Sequence, residues 1–209
     1  MDWLGKKELL EFYDHQIKRC GYTCQALRWT PEGQRARYSF IRHLLIKAEA
    51  ERILDFGCGF GDLYGYLKDN HMKVEYTGID INEKMVQEAK RRYPDARFLC
   101  LDIEEENFKE TFDAVIVCGV FNLRVAGIRE SFRQTLHKLF GLAEGFIILD
   151  LLTYYVKQRD VQLHLVKPSE VLDYLIESLS PYVFLYHRLV EDSMFFLIFR
   201  DRKLMNKVI

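Results

Sequence analysis

The chain has 209 residues, 49% of them hydrophobic, and its 30 Lys and Arg against 31 Asp and Glu leave a formal net charge of −1. That length suits one domain, or one domain with a helical extension, with enough chain to bury a substantial core. The near balance of charge supplies no broad electrostatic footprint for nucleic acid, and no stretch approaches the roughly 18 apolar residues that a membrane span needs.

MDWLGKKELLEF has no signal-peptide layout, and the first fifty residues read as helical. Leu4, Leu9, Leu10, Phe12, Tyr13 and Ile17 recur at roughly helical spacing. Cys20 and Cys24 follow, but no second Cys/His pair accompanies them, so no metal site is expected. Cys58, Cys100 and Cys118 lie in apolar runs; five odd, scattered cysteines suggest reduced thiols in a cytoplasmic protein. A second helix begins near TPEGQRARYSF, with Thr30 as N-cap and Pro31 at the first helical position.

From Arg52 onward strands and helices alternate. RILDF is a short buried strand and DLYGYLKDN a helix; VEYTGID is a second strand, after which Asn82 caps the helix NEKMVQEAKRRY. RFLCLD is a third strand, and FDAVIVCG a fourth, nearly all apolar as expected of a parallel strand covered on both faces. The helix RESFRQTLHKLFGLA leads into a fifth strand, EGFIILDLLT, and Pro168 and Ser169 open the helix PSEVLDYLIESL. VFLYHRL and MFFLIFR close the chain, joined by VEDS as an antiparallel hairpin. The fold expected is α/β: a Rossmann-like, doubly wound sheet of seven strands, mostly parallel with a C-terminal antiparallel strand, plus N-terminal helices. Residues 1–50 are expected to form a helical cap and 51–209 the main domain, as one structural unit.

Between the first strand and its helix, Gly57, Gly59 and Gly61 stand on alternate positions with Asp55 just before them. The dinucleotide fingerprint G-x-G-x-x-G places its third glycine one residue later, and a phosphate P-loop would end in Gly-Lys-Ser/Thr, which is missing here. Alternate glycines let backbone approach a ligand closely. An acid beside the turn is a poor neighbour for a pyrophosphate. It suits a ligand with a positive amino group, or a structural role in holding the turn. Asp80 ends the second strand, where an acid accepts both ribose hydroxyls, and Ile81 is placed to pack on an adenine face. Asp102 and Ile103 end the third strand, and Cys118 ends the fourth. These strand ends share one edge of one sheet, where open α/β sheets bind ligands.

DFGCGFG, GIDIN, CLDIE and FDAVIVCG, in this order and spacing, resemble the successive motifs of class I S-adenosylmethionine-dependent methyltransferases. The resemblance covers roughly Arg52 to Thr153, and GCGFGDLYGYL and YTGIDINEKMVQEAKRRYPDARF are similar to a group of small bacterial members. It implies S-adenosylmethionine (SAM) as methyl donor and S-adenosylhomocysteine (SAH) as product. By position, Gly57 and Gly59 would line the methionine part, with Asp55 beside them. Asp80 would bind the ribose, Ile81, Asp102 and Ile103 would flank the adenine, and Cys118 would lie near the amino group through its backbone. In such enzymes an N-terminal helix commonly covers the cofactor; Trp29 would offer a cation-compatible face and Arg37 would pair with the donor's carboxylate.

A sulfonium already activates the methyl group, so a base is needed only if the acceptor is protonated at working pH. His187, Tyr155 and His164 are the candidates, each with a plain structural alternative. CGVFNL lacks the Asn/Asp-Pro-Pro-aromatic tetrapeptide of amino methyltransferases, no Pro-Cys nucleophile is present, and no spaced acid set indicates a divalent metal. A compact chain with balanced charge favours a small organic acceptor over DNA. The alternatives are a catalytically silent SAM-binding partner or regulatory subunit, an RNA or protein methyltransferase, and a related fold using NAD.

Overall fold

The computed structural model describes residues 1–190 and 192–209. Within these residues, seven strands form one sheet: β1 (Arg52–Phe56), β2 (Glu75–Asp80), β3 (Arg97–Cys100), β4 (Phe112–Cys118), β5 (Ala143–Leu152), β6 (Val183–His187) and β7 (Ser193–Phe199). Their order across the sheet is β3-β2-β1-β4-β5-β7-β6. β7 runs antiparallel to both β5 and β6, while β1 to β5 are mutually parallel. The expected doubly wound sheet with one antiparallel C-terminal strand is therefore observed. The connection between β6 and β7 includes Glu191, which lies outside the described residues.

Among the described residues, seven helices accompany the sheet: α1 (Trp3–Cys20), α2 (Pro31–Ala48), α3 (Asp62–Asp69), α4 (Glu83–Arg92), α5 (Ile128–Leu142), α6 (Pro168–Ser178) and α7 (Arg202–Val208). Local chemistry sets several starts. The Thr30 hydroxyl accepts the Gly33 N–H at 3.0 Å, and the Asn82 side chain accepts the N–H groups of Lys84 and Met85, so orphan donors of α2 and α4 are satisfied. The sequence reading ended on the last strand and missed α7. Its signal was Asp201, whose carboxylate accepts the Leu204 N–H at 2.9 Å, but seven residues give too short a periodicity to reveal a helix.

Alternation along the central strands divides the core into two layers. Leu54, Val115, Val117, Ile147 and Leu149 face α5 and α6. Ile53, Ala114, Ile116, Ile148 and Phe195 face the other way, against Ile41, Leu44 and Leu45 of α2, Leu63 and Leu67 of α3, and Val208 of α7. Each fully buried Leu, Ile or Phe contributes about 1.5–3 kcal/mol. Among the described residues, no helix is long and apolar enough to cross a membrane.

The chain winds from β1 outward to β2 and β3, then crosses back to place β4 on the other side of β1. The winding direction thus reverses between β1 and β4, and their C-terminal ends splay to leave a crevice. α1 lies across that edge. Its Lys6 pairs with Asp102 beyond β3, its Asp14 pairs with Lys84 of α4, and its Glu8 accepts the Ala126 N–H at 2.8 Å.

Candidate functional site

A cavity occupies the crevice, about 1110 Å³ when the open space at its mouth is counted. Its lining includes Trp29, Asp55, Gly57, Gly59, Asp80, Ile81, Asp102, Ile103 and Cys118, nine of the residues singled out from sequence. α1 adds Lys6, Leu9 and Tyr13.

The turn after β1 is clamped to β2. Gly57 and Cys58 both donate their N–H to the Ile79 carbonyl, at 2.7 and 3.1 Å. Gly57 has φ +76°, and a Cβ there would stand 2.4 Å from Cγ2 of Val120, so both its conformation and its space exclude a side chain. Asp80 finishes the clamp: Oδ2 accepts the Gly59 N–H at 3.0 Å and Oδ1 accepts the Asn82 N–H at 2.9 Å. A carboxylate has about four acceptor positions, so one on each oxygen remains for another donor.

Asp55 is 4% exposed and accepts the Tyr76 hydroxyl at 2.5 Å. Burial pushes its pKa up to about 7, and the Tyr76 bond opposes the shift. Asp102 is engaged on both oxygens: Oδ1 accepts the Glu104 N–H at 2.9 Å, and Oδ2 lies 2.6 Å from Lys6 Nζ. It therefore shapes the turn after β3 and fastens α1. Burial pushes the Cys118 thiol well above the usual range, which keeps it neutral and unsuited to nucleophilic attack.

Arg37 is not part of this lining. Its Nε–H donates to Asp150 Oδ2 at 3.1 Å and its Nη1–H to the Gly33 carbonyl at 3.1 Å, and the guanidinium lies 4.9 Å from the Trp29 ring. Asp150, fully buried at the end of β5, also accepts from the Ser193 hydroxyl. Arg37 instead lines a second cavity, about 1140 Å³ with its mouth, whose wall shares Tyr13, Leu27, Trp29 and Gly119 with the first.

The three candidate bases are not brought to either cavity. His164 is buried with Nδ1 3.1 Å from the Phe121 carbonyl, and burial pushes its pKa down. His187 contacts the Thr153 hydroxyl at 2.9 Å, and Tyr155 is 56% exposed. Among the described residues, no histidine lines either space.

Sequence reasoning missed Lys6, Tyr13 and Asp150. Lys6 and Tyr13 left no signal, because only tertiary packing brings α1 to the sheet edge. Gly119 has φ +76°, and a Cβ there would meet the Trp29 ring at 2.5 Å. Asp150 was visible as a single acid inside an apolar strand, where an unpaired charge is costly.

A family model described as "Methyltransferase domain" matches residues 53–139. The chain is 38% identical over 104 residues to a malonyl-[acyl-carrier protein] O-methyltransferase of Anoxybacillus flavithermus, an alignment covering 47% of this chain and 38% of that protein. It thus spans well under half of that relative's length. A Mycobacterium tuberculosis protein with a provisional methyltransferase name is 29% identical over 150 residues, 67% of this chain and 87% of that one. Magnesium protoporphyrin IX methyltransferase of Synechocystis, crystallised with SAH, has a similar fold, with a TM-score of 0.69 at 15% identity over 94% of this chain and all of that one. Family match, relatives and fold agree, and residues 53–139 of this chain form a methyltransferase domain of the class I S-adenosylmethionine-dependent type.

Proposed function

We propose that the protein transfers a methyl group directly from SAM to a small organic acceptor. The observation that carries this reading is the first cavity, where Asp80 keeps acceptor positions beside a glycine turn in which Gly57 has no room for a side chain. SAM, when bound, supplies a methyl group on a cationic sulfur. The chain's residues bind and orient it. Asp80 receives the ribose hydroxyls, Gly57 and Gly59 give the methionine part close backbone approach, and Asp55 balances its ammonium group. Ile81 and Ile103 pack the adenine, with Asp102 at its edge, and Cys118 lies by the methionine end. α1 and the turn after it act as the cap and exclude water, whereas α2 serves mainly as a sheet-face helix.

The acceptor enters from the second cavity, and Trp29 stands at the wall between the two. A π face there suits a sulfonium. Alignment of two reactants in a closed site supplies most of the acceleration such a transfer needs. The absence of a histidine from both linings among the described residues favours an acceptor atom already unprotonated near neutral pH. The same observation is the one point in favour of a silent SAM-binding partner. Incubating the protein with methyl-labelled SAM and small-molecule extract separates the two. Label in a low-molecular-mass product is expected, and label that never leaves SAM would support the silent reading.

A further inference from the structure

The second cavity has an apolar body and one polar end. Leu123, Leu152, Leu163 and Leu165 form much of the body, while Arg37 and Asn122 stand at the end near Trp29 and Gly119. Arg37 is held rigidly, by Asp150, by the Gly33 carbonyl and by the Trp29 face, yet those contacts use only two of its five N–H groups. Among the described residues, the sealed polar atoms without partners are Arg42 Nε and Asn122 Oδ1. Nη2 of Arg37 has no hydrogen-bond partner among the described residues and is not one of these sealed atoms, and Arg37 lines this cavity.

Other charged groups of the lining are differently placed. Arg28 is spent on Asp160 and Gln162, and Asp192 sits in the connection between β6 and β7, just before the Ser193 that bonds Asp150. A guanidinium held by one carboxylate on its far side and offering planar N–H groups to an apolar pocket matches a carboxylate. We propose that the second cavity takes an apolar small molecule bearing a carboxylate, anchored by the free N–H groups of Arg37, as the methyl acceptor. This rests on the reading that the first cavity takes SAM.

Calorimetry on the protein saturated with SAH tests it, with 3-phenylpropionate, 3-phenylpropionamide and 3-phenylpropylamine as probes. The acid is expected to bind about tenfold or more tightly than the amide or the amine. The double variant Arg37→Gln/Asp150→Asn removes the cation without stranding a buried carboxylate. It should lose that preference, and an SAH titration reports whether its first cavity is intact. Equal binding of acid and amide, a preference for the amine, no binding of the acid at millimolar concentration, or a preference that survives in a double variant that still binds SAH would each overturn the proposal. Failure of the wild-type protein to bind SAH at all would instead remove the reading beneath it.

Discussion

Replacing Asp80 by alanine separates two roles that one carboxylate combines. Its oxygens already accept the Gly59 and Asn82 N–H groups at 3.0 and 2.9 Å, which ties the glycine turn to the start of α4. The positions left over would accept a ribose diol. Hydrogen bonds to a charged group contribute about 1.5–3 kcal/mol each. Water that fills the vacated space recovers part of two such bonds, so the net loss expected is about 1–3 kcal/mol, or about five- to 150-fold in Kd for SAH. The variant should also melt several degrees lower, since two backbone donors lose their partner. Comparing SAH with its 2′-deoxy analogue on both proteins isolates the diol. If Asp80 holds it, the loss caused by the substitution shrinks by about 1 kcal/mol for the deoxy ligand. An equal loss for both ligands would refute direct contact and leave Asp80 only its loop role.

Three further outcomes follow from the same geometry. Gly57→Ala meets Val120 at 2.4 Å at a left-handed backbone position, so SAH binding should fall at least tenfold, with a stability loss of about 1–3 kcal/mol by thermal melting. Asp55, raised from an ordinary 3.8 to about 7, binds a proton more tightly when folded than unfolded. Its contribution to stability is therefore fully present below pH 3.8 and lost as pH rises through about 7, with an upper limit of ~4 kcal/mol. A ligand ammonium favours the ionised form, so SAH affinity should rise between pH 6 and 8, and Asp55→Asn should flatten that rise while stabilising the ligand-free protein at pH 8. Lys6→Met breaks the pair with Asp102, whose side chains are 19% and 22% exposed; a loss of about 0.5–1 kcal/mol should appear as a few-fold faster SAH release in stopped flow.

Strand identity was legible because burial on both faces of a parallel sheet writes itself as apolar runs such as FDAVIVC and FIILDLL. The glycine turn and the acids at strand ends were legible for a related reason: backbone approach and charge at a sheet edge restrict residue type locally. Contacts made by α1 were not. Lys6 and Asp102 are 96 positions apart, and no local pattern in a polar helix says which strand end it will reach. Arg37 shows the same limit. Its helix was readable, but which cavity its guanidinium joins depends on Asp150, 113 positions away. His187 stands out as a polar residue in an apolar strand and His164 by its place in the variable region before Pro168, and a threonine hydroxyl and a backbone carbonyl account for them.

Calorimetric titration with SAH and, separately, with NAD tests the central claim most directly. One SAH per chain, with no heat from NAD, is the result expected of a SAM-dependent methyltransferase domain built on this cavity. Binding of NAD without binding of SAH would contradict it.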